Sequence, residues 1–241
     1  MVSIVQWNRK QARYSSRSSA IAAFSARLGL VCVVLSDFDL EVCPQRNGEP
    51  IPDYVTFNNI ALADTFQIHE DGDIPDLNVF RENNATIERQ KKAPINVVIG
   101  NPPYSAGQKS ANDINANQKY PGLDKRIAET YAVKSTATPQ RTLYDSYLRA
   151  FRWATDRIGD QEVVAFVSNG GWIDGNTGDG VRLSMAEDFT DLYIFNLRGN
   201  QRTAGEQSRK EGGKVFGSGS RNSVAITVGI KDWFPASLPR H

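Results

Sequence analysis

Asn101, Pro102, Pro103 and Tyr104 form one run directly after an apolar stretch, Ile95-Asn96-Val97-Val98-Ile99-Gly100. That stretch reads as a buried strand, with Pro94 before it and a glycine and two prolines after it. A strand ending this way gathers several kinds of group at its tip. Asn101 brings a carboxamide, and Pro102 a carbonyl that no N–H of the following proline can bond. The prolines stiffen the turn, and Tyr104 adds a flat ring. Two hydrogen-bond acceptors and a ring are the parts needed to hold a planar amine and stack the ring that carries it. A plain strand-ending turn is the other reading, since Asn and Pro are common turn residues. The buried strand in front of the run favours the chemical one.

A second set of residues is basic. Arg198, Arg202, Arg209, Lys210, Lys214 and Arg221 share one Gly-rich stretch whose only acids are Glu206 and Glu211. Such a loop suits phosphate contact; a solvated loop is the alternative, and the sequence leaves both open. Phe216 lies inside it among Gly212, Gly213, Gly217 and Gly219. A ring with so little core around it is available to a ligand, or else packs under its own loop.

The elements that must position these residues alternate. Ile60 to Phe66 reads as a strand running into a loop at Asp64, followed by an acidic turn, Glu70-Asp71-Gly72-Asp73. Asn78 to Lys92 is expected to be helical. Residues 104–138 read as a long polar loop. Thr138-Pro139 then looks like a cap and first helical position. A helical stripe follows at Leu143, Tyr147, Leu148, Phe151, Ala154 and Ile158, ended by Gly159. Glu162–Ser168, Leu192–Leu197 and Val224–Ile230 are further strands, with a short helix around Gly180–Phe189. Strands alternating with helices imply an α/β sheet.

Bulk composition sets limits. The 241 residues suffice for one domain or slightly more, and the net charge of +1 argues neither for nor against nucleic acid. Cys32 and Cys43 make no disulfide framework or zinc site, and two histidines leave no His-based triad or metal cluster. A reducing, cytoplasmic compartment is the default expectation. Residues 1–36 hold no Asp or Glu but carry Arg9, Lys10, Arg13, Arg17 and Arg27. That is the composition of a transit peptide or of a truncated gene start, and the second reading is preferred.

The Asn-Pro-Pro-Tyr run resembles motif IV of the amino-methyltransferases, which methylate adenine N6, cytosine N4 or a glutamine amide. The resemblance implies roles for other residues. Asn101 and Pro102 would accept hydrogen bonds from the amine, favouring a tetrahedral nitrogen with a free lone pair. Tyr104 would stack on an extruded base. Asp64 resembles the motif III acid beside the cofactor's adenine, or is a loop Asp capping a turn. Leu143-Tyr144 resembles motif V, lining the cofactor pocket, or is helix core. Val215-Phe216 resembles motif VIII, whose ring presses the base from the other face.

Several blocks carry the likeness further: Gly100–Gln108, Leu143–Ala154, Phe166–Gly170, and Phe195–Thr203 with Gly217–Arg221. Together they look like the adenine methyltransferase domain of type ISP restriction–modification enzymes. These are single polypeptides joining nuclease, helicase-like ATPase, methyltransferase and target-recognition regions. The resemblance implies a Rossmann-like class I methyltransferase sheet, S-adenosyl-L-methionine as methyl donor and double-stranded DNA as partner. It covers about Phe57 to Asp232. There is a departure: before Gly100 the only glycines are Gly29, Gly48 and Gly72, so no Gly-rich cofactor turn precedes the tetrapeptide. The expected organisation is an unassigned segment 1–54, a catalytic region 55–232 and a tail 233–241. The sheet is expected to lack its N-terminal cofactor half, with an upstream chain or domain supplying that half and the ATPase. Two rivals stand: a protein-glutamine methyltransferase, and a DNA-binding remnant without activity.

Overall fold

The strand expected before Asn101 forms, and it is third in a six-stranded sheet. The computed structural model describes residues 3–7, 31–34, 61, 63–70, 72, 80–102, 119–138, 140–213, 215 and 222–232. The strands are β1 (Ser3–Trp7), β2 (Val31–Val34), β3 (Val97–Asn101), β4 (Glu162–Asn169), β5 (Asp191–Arg198) and β6 (Val224–Lys231), in spatial order β2-β1-β3-β4-β6-β5. β3 and β4 are parallel, while β6 runs antiparallel to both β4 and β5. β1 pairs antiparallel with β3 and parallel with β2, so the unassigned N-terminal segment contributes two strands. The helices are α1 (Arg81–Lys92), α2 (Pro121–Ile127), α3 (Ser146–Arg157), α4 (Gly171–Asp174), α5 (Asp179–Asp188) and α6 (Gly205–Glu211). The Rossmann-like α/β class expected from the sequence is the one observed.

One face of the sheet carries the core. Alternation and register put Val98, Val164, Phe166, Ala225 and Thr227 on it, all buried. Helices α2, α3 and α5 lie over them with Leu123, Ile127, Leu148, Phe151, Val181 and Met185. Phe151 meets Phe166 edge-on, ring centroids 5.1 Å apart. The opposite face shows Val97, Ile99, Val163, Ala165, Val167, Ile226 and Val228, all partly exposed.

Two expectations are corrected. The long polar loop at 104–138 contains a helix: α2 runs on through a π turn, Ala128–Ala132, and its buried residues Leu123, Ile127 and Tyr131 recur every fourth position. Among 128 to 132 the Thr130 carbonyl accepts the Ser184 hydroxyl of α5 at 3.1 Å. The approach of α5 is so close that a Cβ on Gly180 would lie 1.9 Å from the Tyr131 carbonyl oxygen. The second correction is the end of the strand expected at 60–66: the loop expected at Asp64 forms, while Thr65 and Phe66 are turn and not strand, and Ile60 and Leu62 lie outside the described residues. Residues 63–66 turn into a short 3-10 segment, Gln67–His69. The reason is Asp64, whose Oδ1 accepts the backbone N–H of Phe66 (3.0 Å) and Gln67 (3.2 Å). That local bonding competes with extended structure.

The stripe at Leu143 to Ile158 is buried as expected. Its helix starts later than Thr138. A 3-10 turn, Gln140–Tyr144, comes first, and extended Asp145 (ψ 143°) then opens α3. The Asp145 carbonyl accepts the amides of Leu148 and Arg149. Pro139 lies outside the described residues.

Buried arginines join the helices. Arg149 makes a two-pronged pair with Asp124 (2.8 and 2.9 Å) and lies over the Tyr120 ring. Arg152, with a side chain only 3% exposed, reaches Asp188 at 2.8 Å and Asp156 at 2.6 Å. Arg126 joins Asp156 from α2. Burial alone would raise the Asp156 pKa, but these arginines hold its carboxyl below the usual range.

Candidate active site and nucleic-acid interface

Asn101 closes β3 with an exposed side chain, and Pro102 behind it is buried. Pro103 and Tyr104 lie outside the described residues, as do Lys214, Phe216 and Arg221. The register shows which other segments share this end of the sheet. Gly100 aligns with Phe166 of β4, and β4 ends at Asn169 opposite Val224, where β6 begins. Val224 also faces Arg198, the last residue of β5. The tips of β3, β4 and β5 therefore emerge together, and the start of the basic loop leaves the same end as Asn101.

Ser168 and Asn169, given no role by the sequence analysis, close β4 as Asn101 closes β3. The Asn169 Oδ1 accepts the Gly171 amide at 2.9 Å, and the Gly170 amide donates to the Ser223 carbonyl at 2.9 Å. The signal was present in the sequence as a polar pair ending an apolar strand.

The basic loop is folded back on itself. A bulge interrupts β5 between Asn196 and Arg198, and Arg198 adopts a left-handed backbone (φ 62°). That conformation is held by the Asn196 Oδ1, which accepts the Arg198 amide at 2.8 Å. Gly199 follows at φ 88°, where a Cβ would meet Val215 at 2.8 Å. Its amide donates to the Glu211 carbonyl, and the Asn200 amide to the Glu211 carboxylate. The Arg198 guanidinium donates to the Lys210 carbonyl at 3.0 Å, closing the end of α6.

The cations therefore divide. Arg198 holds the loop together. Lys210 has a 3.5 Å pair with Glu206, but both are highly exposed, so solvent screens it. Arg202 and Arg209 are exposed, and neither guanidinium meets an acid among the described residues.

The residues expected at a cofactor are placed as follows. Leu143 is fully enclosed in the core, and Tyr144 is half-buried against it. Asp64 accepts two backbone amides on Oδ1 and the Tyr120 hydroxyl on Oδ2, at 2.8 Å. Burial and the Asp64 carboxylate push the Tyr120 phenol above its ordinary range, so it remains a donor there. Close by, a cavity of about 230 Å³ is lined by Phe66, His69, Glu70, Arg126 and Trp153 among others. Burial, helped by Arg157 and Lys91, pushes the His69 imidazole down to about 4. Among the described residues no helix is long and apolar enough to cross a membrane, and no group of His, Cys, Asp or Glu is arranged to hold a metal.

No protein-family model matches this chain, and no curated protein does. Solved structures do. A nuclease-deletion mutant of the type ISP restriction–modification enzyme LlaGI, in complex with a DNA substrate mimic, is 50% identical over 78% of this chain, with a TM-score of 0.71. The ATP-dependent type ISP enzyme LlaBIII bound to DNA is 42% identical over 74% of the chain, with a TM-score of 0.69. A DrdV–DNA complex is 41% identical over 74%, with a TM-score of 0.67. The matched region spans only 15%, 12% and 17% of those chains respectively. In both sequence and fold, this chain is similar to one segment of much longer restriction–modification enzymes solved on DNA.

Proposed function

We propose that this chain is the amine-holding part of a DNA adenine-N6 methyltransferase of restriction–modification type, with S-adenosyl-L-methionine as methyl donor. The observation that carries the reading is the exposed Asn101 carboxamide at the tip of β3, in a chain 50% identical over 78% of its length to a segment of a type ISP enzyme in complex with a DNA substrate mimic. The exposed guanidiniums of Arg202 and Arg209 support it, because backbone phosphates are met by such cations.

The chemistry asked of this chain is positional. The adenine amine is a weak nucleophile because its lone pair is delocalised into the ring. The Asn101 side-chain oxygen and the Pro102 carbonyl each accept one amine hydrogen. Acceptors off the ring plane favour a tetrahedral nitrogen, and correct placement supplies most of the remaining acceleration. Tyr104 and Phe216 are assigned to the two faces of the flipped base, and Arg202, Arg209, Lys210, Lys214 and Arg221 to phosphates.

The cofactor does not fit the described residues as they stand. Leu143 is enclosed in the core, the Asp64 carboxylate is already engaged by two backbone amides and the Tyr120 hydroxyl, and no Gly-rich turn precedes β3. Its cradle is assigned to another part of a longer polypeptide. In that polypeptide, Asn101→Ala should cut methylation about 10²-fold, the usual cost of losing one orienting group, while DNA retention on a filter stays unchanged. Turnover above about a tenth of the starting value contradicts the assignment of Asn101.

The incomplete cradle also favours a second reading, a DNA-binding remnant without turnover. Calorimetry with S-adenosyl-L-methionine separates the two. The isolated chain should bind it weakly or not at all, and adding the missing segment should restore binding. If no added segment restores it, the remnant reading stands.

A further inference from the structure

Asn101 has a counterpart on the neighbouring strand. β3 and β4 are parallel, and Gly100 aligns with Phe166. Continued by one residue, that register sets Asn101 beside Val167, so β4 reaches two residues farther, to Asn169. Side chains alternate between the faces along each strand. Val98 on β3 and Val164, Phe166 and Ser168 on β4 are buried, while Val97, Ile99, Val163, Ala165 and Val167 are partly exposed. Asn101 and Asn169 belong to the second set. The two carboxamides therefore leave the same face of the sheet, at the same end, from adjacent strands. Ser168 is turned to the other face, and its hydroxyl donates to the Asn169 carbonyl at 3.3 Å.

The Asn169 carboxamide can face only one way. Its Oδ1 accepts the Gly171 amide at 2.9 Å, and a backbone N–H is met by the oxygen, never by the NH₂ group. That contact makes Nδ2 the free end. Among the described residues Nδ2 meets no acceptor, and the side chain is partly exposed. A donor is thus held at the tip of β4, beside the acceptors at the tip of β3. Asn169 lies one strand across (about 4.8 Å) and two residues along (about 6.6 Å), which sets the two Cα atoms about 8 Å apart. Two hydrogen bonds of about 2.9 Å each and the edge of a base fill that distance.

We propose that Asn169 donates from Nδ2 to N1 of the extruded adenine, so that the two strand tips read the amine and its neighbouring ring nitrogen together. The inference rests on the methyltransferase reading and extends it to a second residue. N1 flanks the amine on the Watson–Crick edge, the edge by which enzymes that extrude a base read it. It is an acceptor, so the oxygens of Asn101 and Pro102 cannot serve it and a donor can. A second contact on that edge stops the ring from pivoting about its amine, and a positional mechanism loses rate steeply with small misplacements.

The test pairs a change in the protein with a change in the base, in the longer polypeptide with S-adenosyl-L-methionine supplied. Asn169→Asp keeps an oxygen for the Gly171 amide and removes the donor. On duplex DNA with adenine at the target position it should lower kcat/KM about tenfold, the worth of one hydrogen bond. In 1-deazaadenine a carbon replaces N1. On that base the parent should lose about the same factor, and Asn169→Asp should lose nothing further. 7-Deazaadenine, altered on the other edge, should leave the difference between parent and variant intact. Asn169→Ser adds no charge, and its hydroxyl can also accept the Gly171 amide. It should behave like Asn169→Asp, and it takes over if circular dichroism shows the first variant unfolded. The proposal is overturned if the losses from Asn169→Asp and from 1-deazaadenine multiply, as they would for an Asn169 that only shapes the turn. It is overturned equally if the coupling appears with 7-deazaadenine instead. A parent that methylates no adenine sinks the methyltransferase reading and this contact with it; one that methylates adenine with multiplying losses sinks this contact alone.

Discussion

Arginine does opposite work in two regions of this molecule. In the helical layer, Arg149 and Arg152 are buried and tied to Asp124, Asp156 and Asp188. At the strand tips, Arg202 and Arg209 stand in solvent with no acid beside them among the described residues. The same side chain is structural where carboxylates neutralise it and available where they do not. Net charge hides this, because the paired arginines cancel and the few exposed ones decide where a polyanion can dock.

The contrast breaks most visibly at Arg152. Arg152→Ala removes a guanidinium that is 3% exposed, leaving Asp188 without that partner and Asp156 with Arg126 in its place. It should cost about 3 kcal/mol in urea unfolding, as removing one member of a buried pair does. Any loss of DNA binding should follow the loss of folded protein. The converse variant, Arg202, Arg209 and Lys210 all to Ala, should leave stability within about 0.5 kcal/mol. It should weaken DNA binding alike for every sequence and lower the salt slope by about one for each phosphate that is no longer neutralised. An unchanged slope would mean these cations face water only.

A smaller effect sharpens the contrast through His69, which is desolvated and feels the charges of Arg157 and Lys91. Its pKa is held at about 4 in the folded chain against 6.5 for the free imidazole. Between those values the unfolded chain binds more protons than the folded one. Stability should therefore fall as pH drops from 6.5 toward 4. His69→Gln, which cannot take up that proton, should flatten the melting temperature across the window; an equally steep profile would assign the loss to the carboxylates.

The strands were legible because β3, β4 and β6 are nearly continuous apolar runs, and Asn101 was legible as a polar residue at the end of one. The α2 helix was not. Leu123, Ile127 and Tyr131 do recur at helical spacing, but Asn, Gln and Lys in the residues before them made the whole stretch look like loop. Asp64 misled for a related reason: an apolar run predicts a strand unless a side chain offers the backbone a better local bond. Nothing in the types of Arg149 or Arg152 announces burial: Asp124 and Asp188 are far away in sequence, and only Asp156, four residues on in the same helix, could be paired from the sequence. The Leu143 position illustrates a further limit, because a motif fixes a residue in the chain without fixing which way it faces.

The π turn at Ala128–Ala132 has a consequence for how this region tolerates length change. Its closing bond runs from the Val133 amide to the Ala128 carbonyl, one residue longer than an α-helical bond. The turn thus stores a single residue of slack in the winding of the chain. Deleting one residue there would let the helix revert to ordinary winding. The residues after it would then keep their direction, Lys134 toward Glu187 and Thr136 toward Asp179 at the head of α5. An inserted residue finds no such slack and would turn everything after it by about 100° around the axis. Single-residue deletions between Ala128 and Ala132 should therefore be tolerated better than insertions.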